Sequence, residues 1–187
     1  MKIEEIVSKV WGPEESADYH SKDSPPGSRE KILDLISKNA YNSNRAYEGC
    51  TRCVLIALQR ELNLPNTGEA IKASTGLAAG VARMGETCGA LLGGIMALGL
   101  CYGSQDLSDF DSYVKTMEVS KDLFSRFESE LGTTKCSRIQ KKLLGREIDF
   151  FKEEDRDFWY KNGGLEVCPW VCSLTARITG DLILADK

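Results

Sequence analysis

Cysteine is the residue type in this sequence with the widest range of possible chemistry. The chain has 187 residues and seven cysteines, an odd number that fits poorly with a fully paired disulfide framework. Thiolates bind soft metals and carry out thiol–disulfide exchange, whereas a buried thiol packs as a small apolar side chain. The number of cysteines indicates metal binding or redox chemistry before structural disulfides. The seven are Cys50, Cys53, Cys88, Cys101, Cys136, Cys168 and Cys172.

Two pairs of cysteines lie close together in sequence. Cys50 and Cys53 form a Cys-x-x-Cys pair, but inside a helical pattern and without the strand that precedes this pair in a thioredoxin unit. Cys53 is therefore interpreted as facing the core. Cys168 and Cys172 share a helical face, so Cys172 is open to a role as second ligand or resolving thiol. Cys101 lies in an apolar run and is predicted to serve packing.

Other kinds of catalytic site lack their partner residues. The only histidine, His20, lies in a polar stretch, so no base is available for serine or cysteine nucleophiles. Residues 80–87 have the spacing of a phosphate-binding P-loop. Glu86 stands where the lysine belongs and no strand precedes the segment, so nucleotide binding is not predicted.

Charge and hydropathy exclude further classes of protein. The net charge of -4 leaves no basic stripe that could neutralise phosphates, so no nucleic-acid partner is predicted. The longest apolar run, residues 88–102, has 15 residues, fewer than the roughly 20 that span a bilayer, and no membrane insertion is predicted. The N-terminus, Met-Lys-Ile-Glu-Glu, does not have the composition of a secretory signal. We therefore expect a cytoplasmic protein.

The elements that position the cysteines are predicted to be helices throughout, because no period-two strand pattern occurs. The prediction is an all-α, single-domain helical bundle over residues 29–187, preceded by an N-terminal helix and linker arm over residues 1–28. In the helix at 109–131 we expect an inner face of Val114, Met117, Leu123, Phe124 and Phe127. Helices are predicted at 2–11, from residue 30, and at 49–62, 69–84, 88–100, 109–131, 136–144 and 169–185.

Glycines recur at spacings of four or five residues between positions 76 and 93. Each costs about 1 kcal/mol in a helix interior relative to alanine. Close approach of the backbone to a cofactor or to a neighbouring helix would offset this cost. Gly89 and Gly93 lie one turn apart, so one helix face near Cys88 carries no side chains.

Four of the cysteines, taken in order with their flanking residues, resemble the C_GCAxxG_C_C family of redox-active proteins. Its hallmark is four cysteines, one of them in a Cys-Gly-Ala-x-x-Gly motif, and the resemblance covers residues 45–184. The departures are the N-terminal arm, an insertion at 146–164 and three extra cysteines. The matching segments are Glu48-Gly49-Cys50, Cys88-Gly89-Ala90-Leu91-Leu92-Gly93, Cys136 ahead of Leu143-Leu144-Gly145, and Cys168-Pro169.

The resemblance selects Cys50, Cys88, Cys136 and Cys168 as one site. If they converge, four thiolates complete the coordination of an iron–sulfur cluster, with backbone at Gly89 and Gly93 close to it. The expected function is electron transfer with an oxidoreductase or another redox protein as partner, more that of an accessory protein than of a complete enzyme.

Two other functions stay open. In a thiol–disulfide switch, Cys88 near a helix N-terminus is the reactive nucleophile and another cysteine resolves it. In a scaffold, the same four cysteines bind structural zinc. The oligomeric state, including a homodimer, is open as well. The aromatic residues of the insertion are either a partner surface or a lid over the core: Phe150, Phe151, Phe158, Trp159 and Tyr160.

Overall fold

The computed structural model describes residues 29–65 and 68–186. This part of the chain is 75% helical, with eight α-helices and no strand, so the predicted all-α fold is confirmed. The predicted helix at 2–11 and the linker arm lie outside the described residues, and the division at residue 28 stays a prediction. The helices are α1 (Arg29–Tyr47), α2 (Cys50–Glu61), α3 (Gly68–Ala73), α4 (Gly89–Tyr102), α5 (Phe110–Leu131), α6 (Cys136–Leu144), α7 (Glu153–Lys161) and α8 (Gly164–Ala185), with a 3₁₀ turn at Ser74–Leu77.

Helices α2, α4 and α8 run in the same direction. A Cβ atom at Gly89 would meet Thr51 at 2.7 Å and one at Gly93 would meet Val54 at 3.1 Å, so α4 follows α2 from its first turn. On α8, the thiol of Cys172 lies near the start of α2, and Gly180 lies against Leu58 near its end. The three N-termini therefore point to the same end of the bundle.

Helices α1 and α5 run antiparallel to α8, as ion pairs along their lengths show. Arg29 and Arg45 of α1 pair with Asp181 and Glu166 of α8, at 2.8 and 3.1 Å. Near the start of α5, Lys115 pairs with Asp186 just after α8, at 2.6 Å, and further along α5 Arg126 pairs with Asp181, at 3.0 Å. These pairs are partly exposed, and each contributes at most about 1 kcal/mol.

The core between these helices is apolar and fully enclosed. Helix α4 is apolar all round, as expected of a helix surrounded by others. Helix α8 is long and apolar enough to cross a membrane by length and composition, but 61% of that window is buried inside the fold. The largest enclosed side chains include Ile36, Leu55, Leu58, Leu91, Leu98, Leu123, Phe127 and Ile183.

Helix α5 has the predicted bounds but a different inner face. Leu123 and Phe127 are fully buried as predicted, whereas Val114, Met117 and Phe124 are exposed, so that part of the prediction is wrong. Small polar residues such as Thr116 take the inner positions instead. The hydroxyl of Thr116 donates to its own helix at 2.8 Å and needs no outside partner.

The predicted helix at 69–84 is wrong beyond Leu77. Every residue from Ala79 to Arg83 has a positive φ between 51° and 75°, which makes this stretch a left-handed turn. The turn is closed by the amide of Glu86, which donates to the carbonyl of Gly80 at 3.0 Å. It is then tied to α6, because the carbonyl of Glu86 accepts from the amide of Cys136 at 2.7 Å. Tertiary contacts thus override the helical pattern.

Replacing Val81 by glycine should stabilise the protein. A β-branched residue at φ 58° carries a left-handed penalty of about 1–2 kcal/mol. The greater conformational freedom of glycine in the unfolded chain offsets about 0.5–1 kcal/mol of this gain in stability. Urea denaturation should therefore show a gain of about 0.5–1 kcal/mol.

The matched control is Val114→Gly. Val114 is 36% exposed and Val81 38%, but Val114 lies within helix α5. There glycine should cost roughly 1 kcal/mol. Equal losses of unfolding free energy in Val81→Gly and Val114→Gly would show that residues 79–83 are not left-handed in solution.

Helix α8 begins five residues earlier than the predicted start at Pro169. Proline inside a helix leaves the carbonyl four residues before it without its donor. Here that carbonyl belongs to Leu165, and the guanidinium of Arg45 donates to it at 3.4 Å. The proline is therefore tolerated, and Cys168 lies within the helix.

Candidate thiol site

Four of the cysteines lie where helices begin. Cys50 and Cys136 are the first residues of α2 and α6, and Cys88 is the N-cap of α4. Cys168 is the fifth residue of α8. All four line one cavity of about 500 Å³. The parallel directions of α2, α4 and α8 bring three of them to this end of the bundle, and the residues after α5 bring Cys136.

The four thiols are close enough to influence one another. Burial raises the pKa of Cys136 well above its ordinary value, and Cys88, Cys168 and Cys50 raise it further. Burial likewise raises the pKa of Cys168, with added contributions from Cys50 and Cys88. Each thiolate would thus repel the others, and ionising all four requires a compensating positive charge.

The helix N-termini supply part of that charge. No side chain caps α2, α4 or α8, whereas Asp109 caps α5 and the first two amides of α6 donate to the carbonyls of Glu86 and Gly85. An uncapped N-terminus carries free N–H groups and about half a positive charge. The sulfur of Cys88 faces the backbone N–H groups of Ala90 and Leu91, which favour its ionised form. That of Cys50 faces the N–H groups of Ala79 and Gly89 in the same way.

The glycines at this end of the bundle have different roles. A Cβ atom at Gly89 would lie 2.6 Å from the sulfur of Cys50, so Gly89 borders the thiol site. One at Gly93 would lie 2.5 Å from the carbonyl oxygen of Thr51, and Gly93 does not line the cavity. It permits α4 to pack against α2. The sequence did not single out Gly80 for this site, although its Cβ would lie 2.8 Å from that of Cys136.

The remaining cysteines lie behind or away from the cavity. Cys53 is buried as predicted, with its thiol 3.2 Å from the carbonyl oxygen of Glu48, and burial raises its pKa to about 11. Cys172 is fully buried behind Cys50. Cys101 packs against the core at the far end of α4, about 20 Å along the helix axis from Cys88.

Part of the predicted insertion covers the cavity. We call residues 146–161 the covering segment. Its Trp159 is only 5% exposed, and both Trp159 and Phe150 line the cavity. Tyr160 fastens the segment by donating from its hydroxyl to the carboxylate of Glu48 at 2.6 Å. Phe151 remains 66% exposed. Phe150 and Trp159 therefore act as a lid, whereas Phe151 and Tyr160 lie at the surface.

Two polar side chains of the site were missed in the sequence. Gln140 is buried, and its amide nitrogen donates to the sulfur of Cys136 at 3.5 Å. The available signal was its position one turn after Cys136 on the inner face of α6. The second is Trp159, whose indole lies beside Cys168. Nothing in the local pattern separates it from the other aromatic residues of the insertion.

The arrangement of the four thiols limits the kinds of metal group that they could bind. Among residues 29–65 and 68–186, no three cysteine, histidine or carboxylate side chains are close enough to form a ready ligand group for one ion. Tetrahedral zinc, with Zn–S bonds of about 2.3 Å, would need such a group. A cluster interposes several iron and sulfide atoms between its thiolates. The donor set itself, four cysteine thiols on one cavity, is chemically suited to either group.

The fold and site define a class of protein: an all-α bundle in which the starts of four helices gather four thiols around one cavity. The chain belongs to the family described as "Putative redox-active protein (C_GCAxxG_C_C)", whose model matches residues 48–182. The matched range contains all seven cysteines. In the family's label glycine is written before cysteine, whereas here Cys88 precedes Gly89. Searches of curated proteins and of solved structures give no match.

Proposed function

We propose that this redox-active family member binds an iron–sulfur cluster through Cys50, Cys88, Cys136 and Cys168 and works as an electron-transfer protein. One observation carries the proposal: four thiols face one cavity from the starts of four helices, three of which run parallel. Four cysteine thiolates are the usual ligand set of such clusters.

The electrostatics of the site support a bound cationic group over a reactive thiol. Burial and the nearby Cys50 raise the pKa of Cys88 to about 12. A nucleophilic cysteine needs the opposite shift, because the thiolate is the reactive form. Coordination to a metal deprotonates a thiol outright. A cluster would therefore stabilise the ionised thiolates that burial in the cavity disfavours.

The chain's own residues would hold the cluster, tune it and shield it. A bound cluster supplies reversible one-electron chemistry. The N–H groups at the starts of α2 and α4 favour negative charge on the sulfurs, and so favour the reduced state. Phe150 and Trp159 of the covering segment limit the access of water.

The cellular setting belongs to the same proposal. Among the described residues no disulfide joins any of the seven cysteines, which suits a reducing compartment such as the cytoplasm. A buried electron-transfer site needs a docked partner to bring a donor close. We propose an oxidoreductase or another redox protein in that role, with this chain as its accessory.

The test is anaerobic purification followed by iron, zinc and acid-labile sulfide analysis, together with absorption spectra before and after dithionite. We expect a brown protein with iron and sulfide in equal amounts and absorption that bleaches on reduction. A colourless protein with one zinc ion per chain would instead identify a scaffold. A metal-free protein that forms and releases a disulfide reversibly would identify a thiol switch.

A further inference from the structure

The indole N–H of Trp159 is a buried hydrogen-bond donor at the wall of the cavity. Trp159 is 5% exposed, and its Nε1–H makes no hydrogen bond of normal geometry among the described residues, although the sulfur of Cys168 lies beside it. The other buried side-chain atoms without partners there are hydroxyl or amide oxygens. Burying an N–H group without a partner costs about 1–3 kcal/mol. A sulfur that carries negative charge would accept this hydrogen bond and remove the cost.

Neighbouring residues hold the indole ring of Trp159 in place. The indole lies edge-on to the rings of Phe150 at 5.7 Å and Tyr160 at 4.9 Å. Gly164 is packed under it, and a Cβ atom there would overlap the indole ring. The indole borders the cavity beside Cys168, whose thiolate form its N–H favours. The ring is therefore held in the cavity wall, on the Cys168 side of the thiol site.

We propose that Trp159 is a positioning residue of the thiol site, whose indole N–H donates to sulfur on the Cys168 side of a bound cluster. The inference rests on the proposed function. The acceptor is the Cys168 thiolate or a sulfide beside it. A hydrogen bond to sulfur stabilises the more negative, reduced state, so Trp159 raises the reduction potential of the site.

The experiment compares reduction potentials of the reconstituted full-length protein and its variants, with the potential followed by electron paramagnetic resonance. Trp159→Phe removes the N–H and keeps an aromatic ring in the cavity wall. We expect its potential to fall by about 59 mV, a tenfold shift of a one-electron equilibrium. Iron and sulfide content should change less than in a ligand variant.

The matched control is Trp170→Phe. Trp170 is half-buried against the core and does not line the cavity, so its loss should leave the potential unchanged. If Trp159→Phe folds poorly, replacement of Trp159 by its benzothienyl analogue, in which sulfur takes the place of the N–H, keeps the shape and removes only the donor.

The outcomes separate the inference from the proposed function. An unmodified protein that takes up no iron and sulfide overturns both. A loaded protein whose potential is the same with tryptophan and with the benzothienyl residue overturns only the role of Trp159. A fall in potential in both Trp159 variants, with none in Trp170→Phe, supports it.

Discussion

Replacing Cys88 by serine is expected to abolish cluster binding. Serine keeps the size of the side chain but replaces a soft thiolate with a hydroxyl that does not ionise at neutral pH. The loss should exceed the 10- to 100-fold fall in metal affinity that is typical when only a surrounding hydrogen-bond partner is removed. The measurement is iron and sulfide per chain after anaerobic reconstitution. The same result is expected at Cys50, Cys136 and Cys168, which line the same cavity.

The control for this series is Cys101→Ser, at the far end of α4 and away from the cavity. It should keep its iron and sulfide and lose only modest stability. Cys53 and Cys172 lie one helical turn after the proposed ligands Cys50 and Cys168. Their serine variants show whether these two thiols also bind the cluster. Full iron and sulfide in all four variants of the cavity cysteines would rule out these cysteines as the cluster ligands, and loss in Cys101→Ser would show that the ligand set includes a cysteine outside the cavity.

Adding a single methyl group at Gly93 is expected to destabilise the whole bundle. The Cβ atom in Gly93→Ala would lie 2.5 Å from the carbonyl oxygen of Thr51, which is backbone and cannot move aside cheaply. Helix α4 would have to shift away from α2, and such overpacking typically costs about 1–3 kcal/mol. Urea denaturation followed by circular dichroism measures the loss. Because α2 carries Cys50 and α4 is capped by Cys88, cluster loading should fall as well.

Gly99→Ala is the matched control in the same helix. No atom lies within 4 Å of a Cβ at Gly99. Alanine there should stabilise the protein by about 0.4–1 kcal/mol, because it restricts the unfolded chain and favours the helix. Opposite signs at the two positions are expected. A Gly93→Ala variant as stable as Gly99→Ala would show that α4 and α2 do not pack this closely.

Local sequence was sufficient wherever a helix is set by its own periodicity and end signals. Helix α5 begins at an Asp109 cap and ends at Gly132 in the left-handed region, as its pattern predicts. The start of α2 near Cys50 was predicted for the same reason. Local pattern failed for the inner face of α5, because hydrophobicity alone cannot show that Thr116 satisfies its own hydroxyl and packs inward.

The thiol chemistry of the protein could be predicted from its sequence, but the arrangement of the site could not. Residue type indicated thiol chemistry, and the resemblance to the family singled out Cys50, Cys88, Cys136 and Cys168 among the seven cysteines. Nothing local identified Trp159, whose role depends on a chain segment folding back over the cavity.

The left-handed turn at residues 79–83 was decided by tertiary structure alone. Its residues read as helix, and its geometry is imposed by hydrogen bonds that tie Glu86 to Cys136, 50 positions further along the chain. The sequence by itself determined that the protein is helical, and its resemblance to the family predicted which thiols share one site. Only the tertiary structure decided that α2, α4 and α8 run parallel, so that their positive ends meet at one cavity. Helix direction depends on contacts between distant segments, which no local pattern encodes.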